Sequence, residues 1–205
     1  MLLTIQPDEP EDWLIGRVAH VVRRGGVVVL PTDTVYAFAC AAGNPGAVEH
    51  LYRVKGITPA KPLSLLVGDL ATASRYADGI PNPVFRMMRR VLPGPYTFIF
   101  KASKDVPRVM LRKRRTVGIR LVGCPIVAAL LEALGEPLLS TSVRNAEDEW
   151  IIDPATIDDE VGQEVDLVVD GGLLLHEPST VVDLSGDEPV VVREGKGDVA
   201  ALNLG

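Results

Sequence analysis

The stretch that decides the fold is EDWLIGRVAHVVRRGGVVVLPTDTVY, residues 11–36. Its first half repeats apolar residues at helical spacing, with Leu14, Val18, Val21 and Val22 on one stripe of a helix over 11–24. Gly25-Gly26 ends that helix, because glycine takes the left-handed turn that reverses a chain at little cost. The uninterrupted run VVVL at 27–30 then reads as a strand covered on both faces. PTDTVY at 31–36 follows as a Pro-initiated turn that clusters hydroxyl and carboxyl groups just past the strand's C-terminal end. Open α/β sheets place ligands at such ends, and Asp and Thr also serve there as ordinary turn caps.

Outward from this unit the same alternation continues. Pro45 opens a helix through Tyr52, and further helices are expected near 69–76, 83–91 and 125–134. Strands are expected at 62–67 and near 96–102, 116–121, 137–141, 165–169, 180–184 and 189–193, several rich in Val and Ile. This is a mixed α/β (α+β) arrangement, a sheet wrapped by helices. With 205 residues and no repeat, low-complexity tract or Gly/Ser linker, the chain reads as one domain over 1–205.

Composition excludes several classes. At 47% hydrophobic and 23% charged the chain is that of a globule rather than a disordered segment. No apolar run approaches the ~20 residues of a membrane span, and the N-terminal residues lack a leader pattern, so no membrane partner and a cytoplasmic address are expected. Cys40 and Cys124, 84 residues apart, form neither a disulfide framework nor a CxxC site and read as buried thiols. His20, His50 and His176 share no i+4 spacing, so no metal site is expected.

Charge is unevenly placed. Between Arg86 and Arg120 eleven basic residues face one acid, a segment of +10 in a chain of net −6, which leaves −16 elsewhere. Its densest part is LRKRRT at 111–116, where Arg112, Lys113, Arg114 and Arg115 are candidates for phosphate contact with RNA; a solvated loop is the other reading. Polynucleotide and mononucleotide are not separated by this signal.

No GxxxxGK[ST] or strand-following GxGxxG occurs, so any nucleotide must be held by another device. LLSTS at 138–142 runs a buried strand into hydroxyls at Ser140, Thr141 and Ser142 with no GxSxG elbow, which suits hydrogen bonding more than nucleophilic attack. TVGIR at 116–120 alternates Thr116, Gly118 and Arg120 onto one face, and arginine grips carboxylates bidentately. Lys55 in YRVKG stands at a helix end, where the C-terminal dipole alone favours a cation.

In this order and spacing, PTDTVY, YRVKG…KPLSLLV, LPGPYTFIF, TVGIR…PI, PLLSTS, DGG…PSTVVDL and VVREG resemble the YrdC-like family, which includes the threonylcarbamoyl-AMP synthases. The resemblance spans about residues 10–198 and is strongest to the YciO branch, through LPGPYTFIFKASKDVPRVML, LEALGEPLLSTS and PVVVREGKGDV. It implies a twisted open sheet enclosing a large, positively charged cavity. It also implies the joining of L-threonine, bicarbonate and ATP with Mg²⁺ into threonylcarbamoyl-adenylate and pyrophosphate, a step toward N6-threonylcarbamoyladenosine in tRNA. Binding of tRNA or double-stranded RNA is implied for some members, and a non-catalytic RNA- or nucleotide-binding protein is the alternative.

Carried over by motif, Thr34, Arg120 and Ser179 would hold threonine, with Arg120 on its carboxylate. Lys55, Thr116, Ser140, Ser142 and Arg193 would line the nucleotide, with Lys55 and Ser142 closest to the chemistry. The sequence departs from the family's KxR…SxN tetrad at two positions, Ile57 for arginine and Arg144 for asparagine. Loss of a charge-assisted bond costs about 1.5–3 kcal/mol, and Arg144 is expected to restore the charge from across the pocket. Leu66 replaces a histidine of some members, and Ala37 replaces a glycine, which would crowd the turn if that residue needs positive φ.

Overall fold

The computed structural model describes residues 1–57, 63–111, 115–175 and 177–204. Strand β1 (Leu2–Thr4) precedes helix α1 (Asp12–Arg23), which buries Leu14, Ile15, Val18, Ala19 and Val22. Gly25 follows at φ +87° and turns the chain into β2 (Val28–Leu30), buried throughout as expected. Past the turn lies β3 (Ala37–Ala41), a strand the sequence reading missed: AFACA is alanine-rich and buried on both faces, so neither propensity nor alternation marks it. Ala37 is ordinary strand and carries no positive φ, so the expected crowding does not arise.

Helix α2 (Pro45–Val54) starts where Asn44 accepts the Ala47 N–H and Pro45 occupies the first turn. It is followed by β4 (Ser64–Leu66), α3 (Leu70–Tyr76), α4 (Asn82–Val91), β5 (Tyr96–Lys101), β6 (Thr116–Arg120) and α5 (Pro125–Leu134). The chain closes with β7 (Leu138–Ser142), α6 (Pro154–Val161), β8 (Leu167–Asp170), β9 (Thr180–Asp183) and β10 (Val190–Arg193). The ten strands form one sheet in the order β1-β8-β2-β3-β7-β4-β6-β5-β9-β10, with parallel and antiparallel neighbours mixed. The mixed α/β architecture is thus as the sequence reads. No helix among the described residues is long and apolar enough to cross a membrane.

Two apolar clusters flank the sheet. Helices α2, α3, α4 and α6 pack on one face, over residues such as Phe38, Leu65, Phe98, Ile119 and Leu139. Helices α1 and α5 pack on the other, over Ala39, Ala41, Leu66 and Leu138. That second cluster stops partway along the strands. Leu66 lies opposite Leu138 and Arg120, and two residues along the same strands, on the same face, Ser64 lies opposite Ser140 and Gly118. One face therefore passes from an aliphatic floor under α1 and α5 to a hydroxyl-bearing floor beyond them.

Several expectations are corrected. Cys40 is buried but Cys124 only half-buried, its Sγ 3.5 Å from the Pro31 carbonyl. Among the described residues the basic segment is spread over separate places. Arg86, Arg89 and Arg90 ride on α4, Lys101 and Arg115 are exposed beside each other at the β5–β6 end, and Arg120 is buried. Arg112, Lys113, Arg114 and His176 lie outside the described residues. Among the described residues no cluster of three or more His, Cys, Asp or Glu side chains could hold a metal ion.

Candidate functional site

A cavity of about 280 Å³ lies over the hydroxyl-bearing part of that face. Thr34, Thr116, Arg120, Ser140, Ser142, Ser179 and Arg193 all line it, gathered from five separate segments of the chain. Strand alternation accounts for most of this: Thr116 and Arg120 share the cavity side of β6 while Val117 and Ile119 enter the opposite core.

Arg120 anchors one end. Only 8% exposed, it pairs with Asp33 (Nη2 to Oδ1, 2.8 Å) and donates from the same nitrogen to Thr34 Oγ1 at 2.9 Å. Its Nε is a buried donor with no partner among the described residues. Burial pulls the guanidinium's pKa down, Asp33 opposes this, and the positive charge of Arg193 adds to it. Asp33 is itself fixed by the Gly123 N–H at 3.0 Å, and its carbonyl accepts from Lys196 Nζ at 2.6 Å.

The turn around Thr34 is ordered by its own hydroxyls. Thr32 Oγ1 gives its proton to the Val35 carbonyl at 2.6 Å, so across the 2.9 Å contact with Thr34 Oγ1 it acts as acceptor. Thr34 spends its proton there, accepts from Arg120, and has one acceptor lone pair left. On the opposite wall Thr97 Oγ1 and Ser179 Oγ lie 2.8 Å apart, both buried. Arg193 grips the Ser179 carbonyl through Nη2 (2.7 Å) and Nε (3.1 Å). Its guanidinium is also pulled below its usual pKa, first by burial and then by the charge of Arg144.

Two expected members stand apart. Lys55 caps the C-terminus of α2 with its Nζ 6.0 Å from the Phe38 ring centroid, and it is not among the cavity-lining residues. Ile57, at the family's arginine position, packs against the apolar core. Arg144 does not line the cavity either: it pairs with Asp148 at 2.6 Å and lies 3.6 Å over the Trp150 ring. Asn145, the next residue, is engaged within its own turn, accepting the Glu149 N–H at 2.8 Å, and does not line the cavity. Leu66 is fully buried under α1 and α5.

Sequence reasoning passed over Ser64, Thr97, Trp150 and Asp183, and took Asp33 only as a member of the turn cluster. The alternation of YTFIF, which sets Thr97 and Ile99 against Phe98 and Phe100, was a readable signal for Thr97. Trp150 had none.

The Sua5/YciO/YrdC family model, described as telomere recombination, matches residues 20–195. The Escherichia coli K12 protein YciO, named as uncharacterized, is 45% identical over 197 residues, covering 95% of both chains. The threonylcarbamoyl-AMP synthase of Pyrococcus abyssi is 28% identical over 90% of this chain and 55% of its own. Among solved structures, E. coli YciO superposes with TM-score 0.92 at 44% identity over 98% of both chains. P. abyssi Sua5 complexed with L-threonine superposes with TM-score 0.89 at 26% identity, over 95% of this chain and 57% of that one.

Proposed function

The chain belongs to the Sua5/YciO/YrdC family, and from that premise we propose that its cavity binds L-threonine and ATP and catalyses the threonylcarbamoyl-AMP synthase reaction. The observation that carries this reading is the unpartnered Nε of Arg120. A buried charged donor left unpaired costs more than about 1–3 kcal/mol, and a carboxylate oxygen accepting from Nε removes that cost. P. abyssi Sua5, with its bound L-threonine, supports the choice of amino acid.

In the proposed complex Arg120 holds the amino acid's carboxylate. Thr34, with only an acceptor lone pair to offer, receives a hydrogen from the ligand's hydroxyl or amine. The amine adds to bicarbonate with loss of water to give a carbamate. A carbamate oxygen attacks the α-phosphorus, the bond to the β-phosphate breaks, and pyrophosphate leaves. No protein nucleophile is required, so the contribution of Arg193, Thr116, Ser140 and Ser142 is positioning and charge stabilisation. The described residues lack a cluster fitted to a resident cation, so Mg²⁺ is assigned to the triphosphate as part of the substrate.

A second reading has its own support. With Ile57 in the apolar core and Lys55 off the cavity wall, a protein that binds nucleotide or RNA without adenylation is the alternative. Pyrophosphate release by the purified protein with ATP and Mg²⁺, omitting L-threonine and bicarbonate in turn, separates them. The synthase reading expects release that needs both; ATP binding without release favours the second.

A further inference from the structure

Arg144 stands where the resemblance expects an asparagine, yet what reaches the cavity is the ring it lies on. A backbone bridge pairs Arg144 with Trp150, and the turn between them is closed from within. Asn145 N donates to the Glu149 carbonyl at 2.9 Å, and Asp148 N to the Asn145 carbonyl at 3.1 Å. Arg144 is held by the Asp148 carboxylate at 2.6 Å and stacks on the indole at 3.6 Å. The half-buried indole is therefore fixed before any ligand arrives. Because Trp150 lines the cavity and Arg144 does not, the guanidinium occupies one side of the ring and leaves a flat aromatic surface to the cavity.

Met110, Ile99 and Leu63 share this cavity with the indole, and so do Thr116, Ser142 and Arg193. A flat aromatic wall with apolar neighbours suits a nucleobase, and hydroxyls with a cation suit its phosphorylated ribose. We propose that Trp150, backed by Arg144, is the stacking platform for the purine base of a nucleotide whose phosphates run toward Arg193. The nucleotide's seat is thereby shifted from the Lys55–Ile57 side to the 144–150 turn. The charge of Arg144 also bears on Arg193, and phosphates set against Arg193 relieve that repulsion. The inference rests on the nucleotide-binding part of the reading above.

The chain has two tryptophans, and Trp13 is 65% exposed on α1, so Trp13→Phe leaves Trp150 as the sole indole reporter. In that background ATP and AMP are expected to quench fluorescence saturably, whereas inorganic tripolyphosphate is not. Trp150→Ala is expected to weaken ATP about tenfold, and Trp150→Phe to restore most of the affinity, with tripolyphosphate binding unchanged in both. Equal ATP affinity in Trp150→Ala, or equal quenching by tripolyphosphate, overturns the platform. If threonine- and bicarbonate-dependent pyrophosphate release then persists, the adenylation reading survives without it. A parent protein that binds no ATP overturns both.

Discussion

Arg120 divides its guanidinium between the protein and the cavity, one nitrogen on Asp33 and Thr34 and Nε without a partner among the described residues. Arg120→Met is therefore expected to lose L-threonine binding more than about a hundredfold by calorimetry. It should also lose about 3–5 kcal/mol of stability in urea, because Asp33, also largely buried, is left without its partner. Adding Asp33→Asn should recover much of the stability and none of the binding; a single variant of full stability would show that Asp33 needs no counter-charge. Thr34, Arg120 and Ser179 were legible because each sits in a short motif at a strand end. The Asp33–Arg120 pair was not, since it joins residues 87 positions apart. Arg144 shows the limit of position-by-position reading: its identity was known, but its partners Asp148 and Trp150 decide where the charge goes.

At the scale of elements, β6 is the clearest case of sequence dictating site. Its TVGIR alternation sends Val117 and Ile119 into the core and Thr116, Gly118 and Arg120 to the cavity, as the pattern predicts. Gly118 keeps the floor low, for a Cβ there would stand 3.1 Å from Ser64 Oγ and 3.5 Å from Thr97 Cγ2. A hydroxyl can yield a few tenths of an ångström, so Gly118→Ala is expected to keep its stability within about 1 kcal/mol. It should nevertheless weaken amino-acid binding about tenfold by raising the floor. Unchanged affinity in calorimetry would mean that the ligand does not rest on β6. Elements that escaped the sequence reading share a physical reason. β1 buries only Leu3, with Ile5 just beyond it, α6 buries only Pro154 and Ile157, and β3 is a run of mostly small residues buried on both faces. β1 draws its stability from β8, distant in sequence, and β3 draws part of its own from β7, likewise distant.

For the whole molecule, the sheet's large covered area isolates weak acids from water, and that sets a pH dependence. Burial pushes the Cys40 thiol from its ordinary value near 9 up to about 12, and burial likewise raises Tyr36, whose hydroxyl donates to the Gly172 carbonyl. Across that window the native protein keeps a Cys40 proton that the unfolded chain has released, so stability falls as pH rises. The contribution is whole below pH 9 and gone beyond 12. Urea midpoints should decline from pH 8 to 11, and Cys40→Ala should flatten the decline; parallel curves for the two proteins would remove Cys40 as a cause. The charge asymmetry belongs to this scale as well. Eleven basic residues in one segment suggested one surface, but the sheet distributes the described ones over α4, the β5–β6 end and the cavity.

The segment from Arg193 onward is fastened at several places, among them Arg193 to Ser179, Lys196 to the Asp33 carbonyl, and Ala201 and Leu202 to Arg90. Two of those fastenings sit on the very residues that shape the pocket around Arg120. Cargo tethered to the C-terminal end, such as an affinity handle or a fused reporter, would pull on the PTDT turn through Lys196. The same cargo at the N-terminal end would tug on β1, its partner β8 and Asp158 of α6, none of which lines the cavity, which makes that end the gentler point of attachment.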